Sequence, residues 1–117
     1  MLPVNIVLTK FRFHQRAGLA SRSPSLWRCY GSVDGLTFTV INDASNDTTE
    51  ATYTSGIYEK VLPTSFNTLY KYIGFTIKKG GVNADMINIQ EIQIFGKELL
   101  PLINELQISN LNNKLIF

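Results

Sequence analysis

The amino-acid sequence predicts an all-β protein, folded as an antiparallel β-sandwich, on three observations. Apolar and polar residues alternate in several short segments, most clearly from Leu36 to Ile41, with the two-residue period of a pleated strand. Stretches rich in Gly, Asn, Asp and Ser, which are typical of turns and loops, separate these segments. The chain has 117 residues, of which 44% are hydrophobic and 17% charged, and this is the composition of one globular domain.

The first predicted strand runs from Val4 to Arg16. Phe11 and Phe13 share one face of it, because side chains two residues apart lie on the same side of a strand. The opposite face carries a short basic ladder, for which there are two interpretations: a solvent-exposed side whose charges keep a strand edge from pairing with other chains, or a binding surface. The basic ladder consists of Lys10, Arg12, His14 and Arg16.

A surface loop and a hairpin follow. The loop, Ala17 to Ser25, is small and polar, with Arg22 at its middle. Leu26 to Asp43 has the pattern of two strands joined by a tight turn at Gly31 to Gly35, where two glycines tolerate positive φ. Cys29 lies on the first of these strands and is the one cysteine of the chain, so an internal disulfide is excluded. We interpret it as a small buried apolar side chain rather than a reactive thiol.

The second half of the chain contains a polar loop, two strands and a turn region. The polar loop is predicted at Asn42 to Ser55 and the turn region at Lys78 to Asp85. The two strands are predicted at Gly56 to Pro63 and at Phe66 to Lys79.

The last predicted strand, Ile87 to Gly96, changes phase in its middle. The isoleucines at 87 and 89 are in phase with each other, and those at 92 and 94 are shifted by one residue. The shift predicts either a β-bulge near Gln90-Glu91 or a strand whose two halves bury different sides.

The tail, Lys97 to Phe117, suits either a short amphipathic helix starting near Pro101 or a strand, since short apolar runs do not distinguish the two. It ends on three apolar residues, whereas free termini are normally polar and frayed. We therefore expect the tail to pack on its own domain or on a partner.

Three segments resemble, in the same order, the discoidin or coagulation-factor C-type domain family. They are the Trp27-bearing strand with GSVDG at Gly31 to Gly35, then LYKYIGFTI from Leu69 to Ile77, then INIQEIQIFG from Ile87 to Gly96. The resemblance implies a galactose-binding-like jelly-roll sandwich over residues 1–96, followed by a tail over residues 97–117. In such a sandwich we expect four side chains to meet in the core: Trp27, Phe38, Phe75 and Ile94.

The family's opening strand has no counterpart, because the sequence starts almost directly on the strand from Val4 to Arg16. Backbone groups along that strand would then lack partners. We expect a neighbouring chain, the tail or a further part of a longer polypeptide to cover them.

The resemblance also implies a site. Ligands of this family bind at a rim of loops at one end of the sandwich, and sugar-binding members often present an Arg after the strand that ends here in His14-Gln15-Arg16. Glu91 matches a Glu that often helps to hold a structural calcium ion, a cation that needs several oxygen ligands. The candidate ligand-binding residues are His14, Arg16, Arg22, Asn83 and Asp85, and the candidate metal ligand is Glu91.

The sequence favours binding over catalysis. His14 is the one histidine, and the chain has no GxSxG signature, no set of zinc ligands and no phosphate-binding glycine loop. Two functions remain: a non-catalytic module that recognises carbohydrate on a surface, or a structural subunit of a virus or phage particle or another large complex that contacts neighbouring protein chains.

Charge and hydropathy name no further partner. The net charge of +2 is too small to indicate nucleic acid binding, and no stretch approaches the length of a membrane span. The N-terminal residues lack the features of a signal peptide, so a virion or large complex is slightly favoured as the location.

Overall fold

Two antiparallel β-sheets carry the fold in the computed structural model of the chain, which describes residues 1–18, 20–81 and 86–98. The all-β prediction and the packing of two antiparallel sheets are confirmed. In chain order the described strands are β1 (Ile6–His14), β2 (Pro24–Ser32), β3 (Thr39–Val40), β4 (Ile57–Val61), β5 (Leu69–Tyr70), β6 (Tyr72–Gly80) and β7 (Glu91–Lys97). Short 3-10 helices at Ala20–Arg22 and Asn42–Ala44 precede β2 and follow β3.

β1 is the central strand of the first sheet, which we call sheet A. One side of β1 pairs with β7, and the other side pairs with β4 and β5, so that Lys10 lies between Val61 and Phe95. The expectation that β1 lacks backbone partners is therefore wrong for the described part of the chain. The later strands of the same chain supply them.

The second sheet, sheet B, has the order β3-β2-β6 and contains the predicted hairpin. Its turn is organised by Asp34, whose Oδ1 accepts hydrogen bonds from the backbone N–H groups of Leu36 and Thr37 at 2.8 and 2.9 Å. These hydrogen bonds hold the pKa of the Asp34 carboxyl below its ordinary value. Gly35 follows with a φ of +78°, a conformation that glycine adopts without strain.

The core lies between the two sheets and is rich in aromatic rings. Phe13 has 0% exposure, and its ring centroid lies 5.0 Å from that of Phe11 and 5.3 Å from that of Trp27. Phe75 and Ile94 pack against the same cluster, as predicted. Cys29 is also buried there, and burial raises the pKa of its thiol to about 12, in agreement with its interpretation as a small apolar group.

The prediction that Phe38 belongs to the core is wrong. Its side chain is 46% exposed and lies against the ring of Tyr72, with centroids 6.4 Å apart. Because the Asp34 turn extends through Thr37, β3 begins only at Thr39, and the buried position of this segment passes to Ile41.

The change of phase before β7 marks the beginning of the strand. Ile89 and Ile94 both pack against the core, and the chain bends at Gln90 between them before β7 begins at Glu91. Of the two predicted alternatives, the strand whose halves bury different sides is wrong, and the predicted irregularity near Gln90-Glu91 is a bend that precedes β7. The register shift within the pairing of β1 and β7 lies on β1, between Leu8 and Lys10.

The prediction of a helix or strand in the tail falls on residues 99–117, outside the described residues. The division of the chain at residue 96 stays a prediction. None of the helices described is long and apolar enough to cross a membrane.

Candidate functional site

One end of the sandwich gathers three separate stretches of chain, which we call the rim: residues 14–16, 20–22 and 88–91. His14 is the last residue of β1, opposite Glu91 in the register with β7. Its Nε2 atom lies 2.8 Å from Oε1 of Gln93, and its carbonyl accepts a hydrogen bond from the N–H of Gln90 at 2.9 Å. The predicted ligand-binding residue His14 is thus held in place by contacts with β7 and with the residue that precedes it.

The rim also contains Arg16 and Arg22. Arg16 is exposed two residues beyond β1, next to Gln15, whose N–H donates to the carbonyl of Gly56 at 2.8 Å. Arg22 ends the first 3-10 helix, and its carbonyl accepts a hydrogen bond from the N–H of Asn88 at 2.8 Å. The rim is therefore held together through its backbone, and of its two arginine side chains that of Arg16 is exposed and that of Arg22 is half-buried.

The end of β6 reaches the same rim. A Cβ atom added to Gly81 would lie 2.8 Å from the carbonyl oxygen of Ser21, so the backbones of these two residues approach closely. The predicted site residues Asn83 and Asp85 follow Gly81 in the chain and lie outside the described residues.

The predicted calcium site has one described carboxylate, that of Glu91, which is exposed. Within residues 1–18, 20–81 and 86–98, no three His, Cys, Asp or Glu side chains converge on a point where they could hold a metal ion. Calcium takes about six to eight oxygen ligands. The described residues do not fit such a site, and calcium binding stays a prediction.

Sequence reasoning missed a second group of polar residues, on the outer face of sheet A. The Nε atom of Arg12 donates to Oε1 of Glu59 at 2.7 Å, and Nζ of Lys10 lies 3.6 Å from the same oxygen. The Phe95 ring centroid is 4.8 Å from Lys10 Nζ and 4.9 Å from Arg12 Cζ. The hydrogen bond from Arg12, with the charge of Lys10, holds the pKa of the Glu59 carboxyl below its ordinary value.

A cleft of about 520 Å³ opens beside the pair of Arg12 and Glu59. A tight turn shapes one wall of it, because Thr54 and Ile57 exchange backbone hydrogen bonds of 2.9 and 3.0 Å. The residues that line this cleft are Arg12, Thr52, Thr54, Ile57, Tyr58 and Glu59.

Tyr58 connects the cleft to the core. Its ring centroid lies 4.8 Å from that of Trp27 and 5.9 Å from that of Tyr53, and burial raises the pKa of its hydroxyl. Tyr53 is fixed in turn by a hydrogen bond from its hydroxyl to the carbonyl of Pro24 at 2.8 Å. The cleft is therefore built on a rigid layer of packed rings.

The sequence contained one signal for this second group. The basic ladder already placed Lys10 and Arg12 on one side of β1, but Glu59 and Phe95 are distant in the chain and carry no motif. Their position follows from the pairing of β1 with β4 and β7, which alternation alone does not specify.

No family model matches the chain, and no curated protein matches it at a significant level of sequence similarity. The resemblance to the discoidin family therefore stays a prediction.

Proposed function

We propose that the chain is a non-catalytic binding module of discoidin type that recognises carbohydrate on a surface through the rim. One observation carries this proposal: the neighbouring stretches that carry His14, Arg16 and Arg22 are joined through their backbones, at one end of the sandwich, to residues 88–91 from far along the chain. Binding sites for small molecules typically combine a few fixed polar groups on a rigid scaffold. The buried rings behind β1 supply that scaffold.

The side chains of the rim suit hydroxylated ligands. Arginine offers five N–H donors in one plane, and the imidazole of His14 with the neighbouring amide of Gln93 adds further donor and acceptor groups. Adjacent hydroxyls of a sugar ring present donors and acceptors at comparable spacing. None of these contacts requires bond making or breaking, in line with a binding role.

A glycan array followed by titration of the best ligand tests the proposal. The variants are Arg22→Ala in the rim and, as a matched control, Arg28→Ala, which removes an arginine paired with Asp47 on the outer face of sheet B. We expect Arg22→Ala to weaken binding about tenfold, the effect of losing a charge-assisted hydrogen bond, and Arg28→Ala to bind like the wild type.

The proposal fails if well-folded wild-type protein binds no glycan on the array, or if both arginine variants retain wild-type affinity. Running the array with and without calcium, on the wild type and on Glu91→Gln, tests the predicted calcium site separately. A calcium dependence that Glu91→Gln abolishes supports that site.

A second candidate function is that of a structural subunit in a large assembly. It is supported by β6 and β7, each of which pairs along one side only within the described residues. Ile92 of β7 is 40% exposed although it lies opposite the buried Phe13, so apolar surface continues to this edge. Unpaired strand edges can pair with another chain. A concentration-independent monomer in analytical ultracentrifugation would count against this candidate.

A further inference from the structure

We propose that the cleft on the outer face of sheet A, beside Arg12 and Glu59, binds one neutral hexose unit and is a second sugar subsite next to the rim. The inference rests on the proposed carbohydrate-binding function and goes beyond it in assigning a second place and a class of sugar. The rim then contacts further units of a longer glycan.

The polar wall of the cleft is held in place before any ligand arrives. Lys10 and Arg12 both approach the same oxygen of Glu59, and the Phe95 ring lies within 5 Å of both cationic groups. Arg12 uses its Nε in this pair, so the terminal nitrogens of its guanidinium keep their donors, and Glu59 keeps its second oxygen as an acceptor. Fixed groups lose little entropy when a ligand binds, and preorganisation therefore favours affinity.

The opposite wall provides hydroxyls and apolar surface. Thr52 and Thr54 each carry a hydroxyl that both donates and accepts hydrogen bonds. Ile57 and Tyr58 contribute apolar atoms. A hexose has the same dual character, with hydroxyls around its edge and C–H groups on its faces.

Size and charge select the class of sugar. The volume of about 520 Å³ lies within the range of roughly 300–1,000 Å³ that is typical of small-molecule sites. Lys10 and Arg12 both approach the same Glu59 oxygen, so the second Glu59 oxygen is the acceptor that remains for a ligand. A sugar hydroxyl donates a hydrogen bond to this oxygen, whereas the carboxylate of an acidic sugar has no proton to donate, and this favours a neutral hexose.

Saturation-transfer NMR with a panel of methyl hexosides and with methyl glucuronide, on the full chain, tests the inference. The cleft variants are Glu59→Gln and Thr54→Val, which change little volume. Thr76→Val, on the outer face of sheet B, is the matched control for the loss of a threonine hydroxyl. Circular dichroism melting of each variant establishes that it is folded.

We expect at least one neutral hexoside to bind the wild type and Thr76→Val equally, and to bind each cleft variant about tenfold more weakly. The affinity for longer glycans, which also contact the rim, should fall in Arg22→Ala as well as in the cleft variants.

Three results overturn the inference. If the cleft variants bind hexosides like the wild type while Arg22→Ala loses binding, the rim is the sugar site and the proposed function survives without the cleft. If methyl glucuronide binds better than every neutral hexoside, the assignment to neutral sugars is wrong. If folded wild-type protein binds neither hexosides nor any glycan, the proposed function and the cleft fail together.

Discussion

The outer faces of the two sheets both carry ion pairs, but their surroundings differ. On sheet B, Arg28 and Lys78 pair with Asp47, at 2.9 and 3.7 Å, and these side chains are about as exposed as those of Arg12 and Glu59 on sheet A. On sheet A, the pair of Arg12 and Glu59 lies against an aromatic ring and lines a cleft. Exposed ion pairs contribute little stability, so the sheet B pairs are best understood as ordinary surface charge. The same chemistry becomes a candidate site only where a ring and a cavity accompany it.

The largest expected effect comes from the core that supports both faces. Phe13→Ala should lower the free energy of unfolding by about 3–5 kcal/mol, because the ring is fully buried among Phe11, Trp27 and Phe75. Phe38→Ala is the matched control, and we expect less than about 1 kcal/mol because that ring is half exposed. Urea denaturation measures both. Equal losses would contradict the distinction between the two rings and return Phe38 to the core.

A smaller effect is expected where the two sheets touch. A Cβ atom added to Gly31 would lie 2.5 Å from ring carbons of Tyr70, so Gly31→Ala should destabilise by about 1–3 kcal/mol through overpacking. Gly74→Ala is the control. Gly74 lies on β6, opposite Tyr30 of β2, and a Cβ atom added to it would meet no other atom within 4 Å. Thermal melts of both variants check this. A stable Gly31→Ala would mean that the ring of Tyr70 moves aside freely.

The faces should also differ in how acid affects binding. The pKa of Glu59 is held below its ordinary value of 4.5 by the hydrogen bond from Arg12, so the charged form is favoured in the folded protein. A depressed pKa of this kind stabilises the fold above the ordinary value, and that contribution is lost as the pH falls through the folded-state pKa. Hexose binding should decline in the same range, as Glu59 gains a proton.

Glu59→Gln should remove this part of the acid dependence, and Asp47→Asn should not affect it, although the pKa of Asp47 is also lowered by its ion pair with Arg28. Titration of a hexoside by NMR at a series of pH values below 4.5 measures the difference. An identical pH profile in wild type and Glu59→Gln would exclude Glu59 as a ligand contact.

The smallest effect is expected on sheet B. Arg28→Ala removes an exposed ion pair that borders none of the cleft residues, and we expect no measurable change in the melting temperature or in glycan affinity. A loss of affinity in this variant would contradict the contrast between the faces and place a binding surface on sheet B.

Much of the fold followed from local patterns. The alternation on β1 correctly placed Phe11 and Phe13 inside, and the pattern on β2 did the same for Cys29. Asp34 and Gly35 lie in the hairpin turn as predicted, whereas Gly31 belongs to β2, opposite Thr39. Phe38 was misplaced because alternation extends through the turn, where hydrogen bonds to the Asp34 side chain delay the start of β3.

The candidate sites were less accessible from the sequence. His14, Arg16 and Arg22 were recognised on β1 and its following loop, and the structure brings them to one end of the sandwich, whereas the predicted Asn83 and Asp85 lie outside the described residues. The cleft was missed altogether. Its ion pair joins positions 47 residues apart, and no local pattern signals such a contact.

The sequence by itself determined which side of each long strand faces inward, because the alternation of apolar and polar residues depends only on the order of residues along that one strand. The tertiary structure alone decided which strands pair and in which register, and thereby that Lys10 and Arg12 share Glu59 and lie against Phe95. Alternation is the same whichever strand lies alongside. The choice among partners depends instead on how the whole set of strands closes around the core.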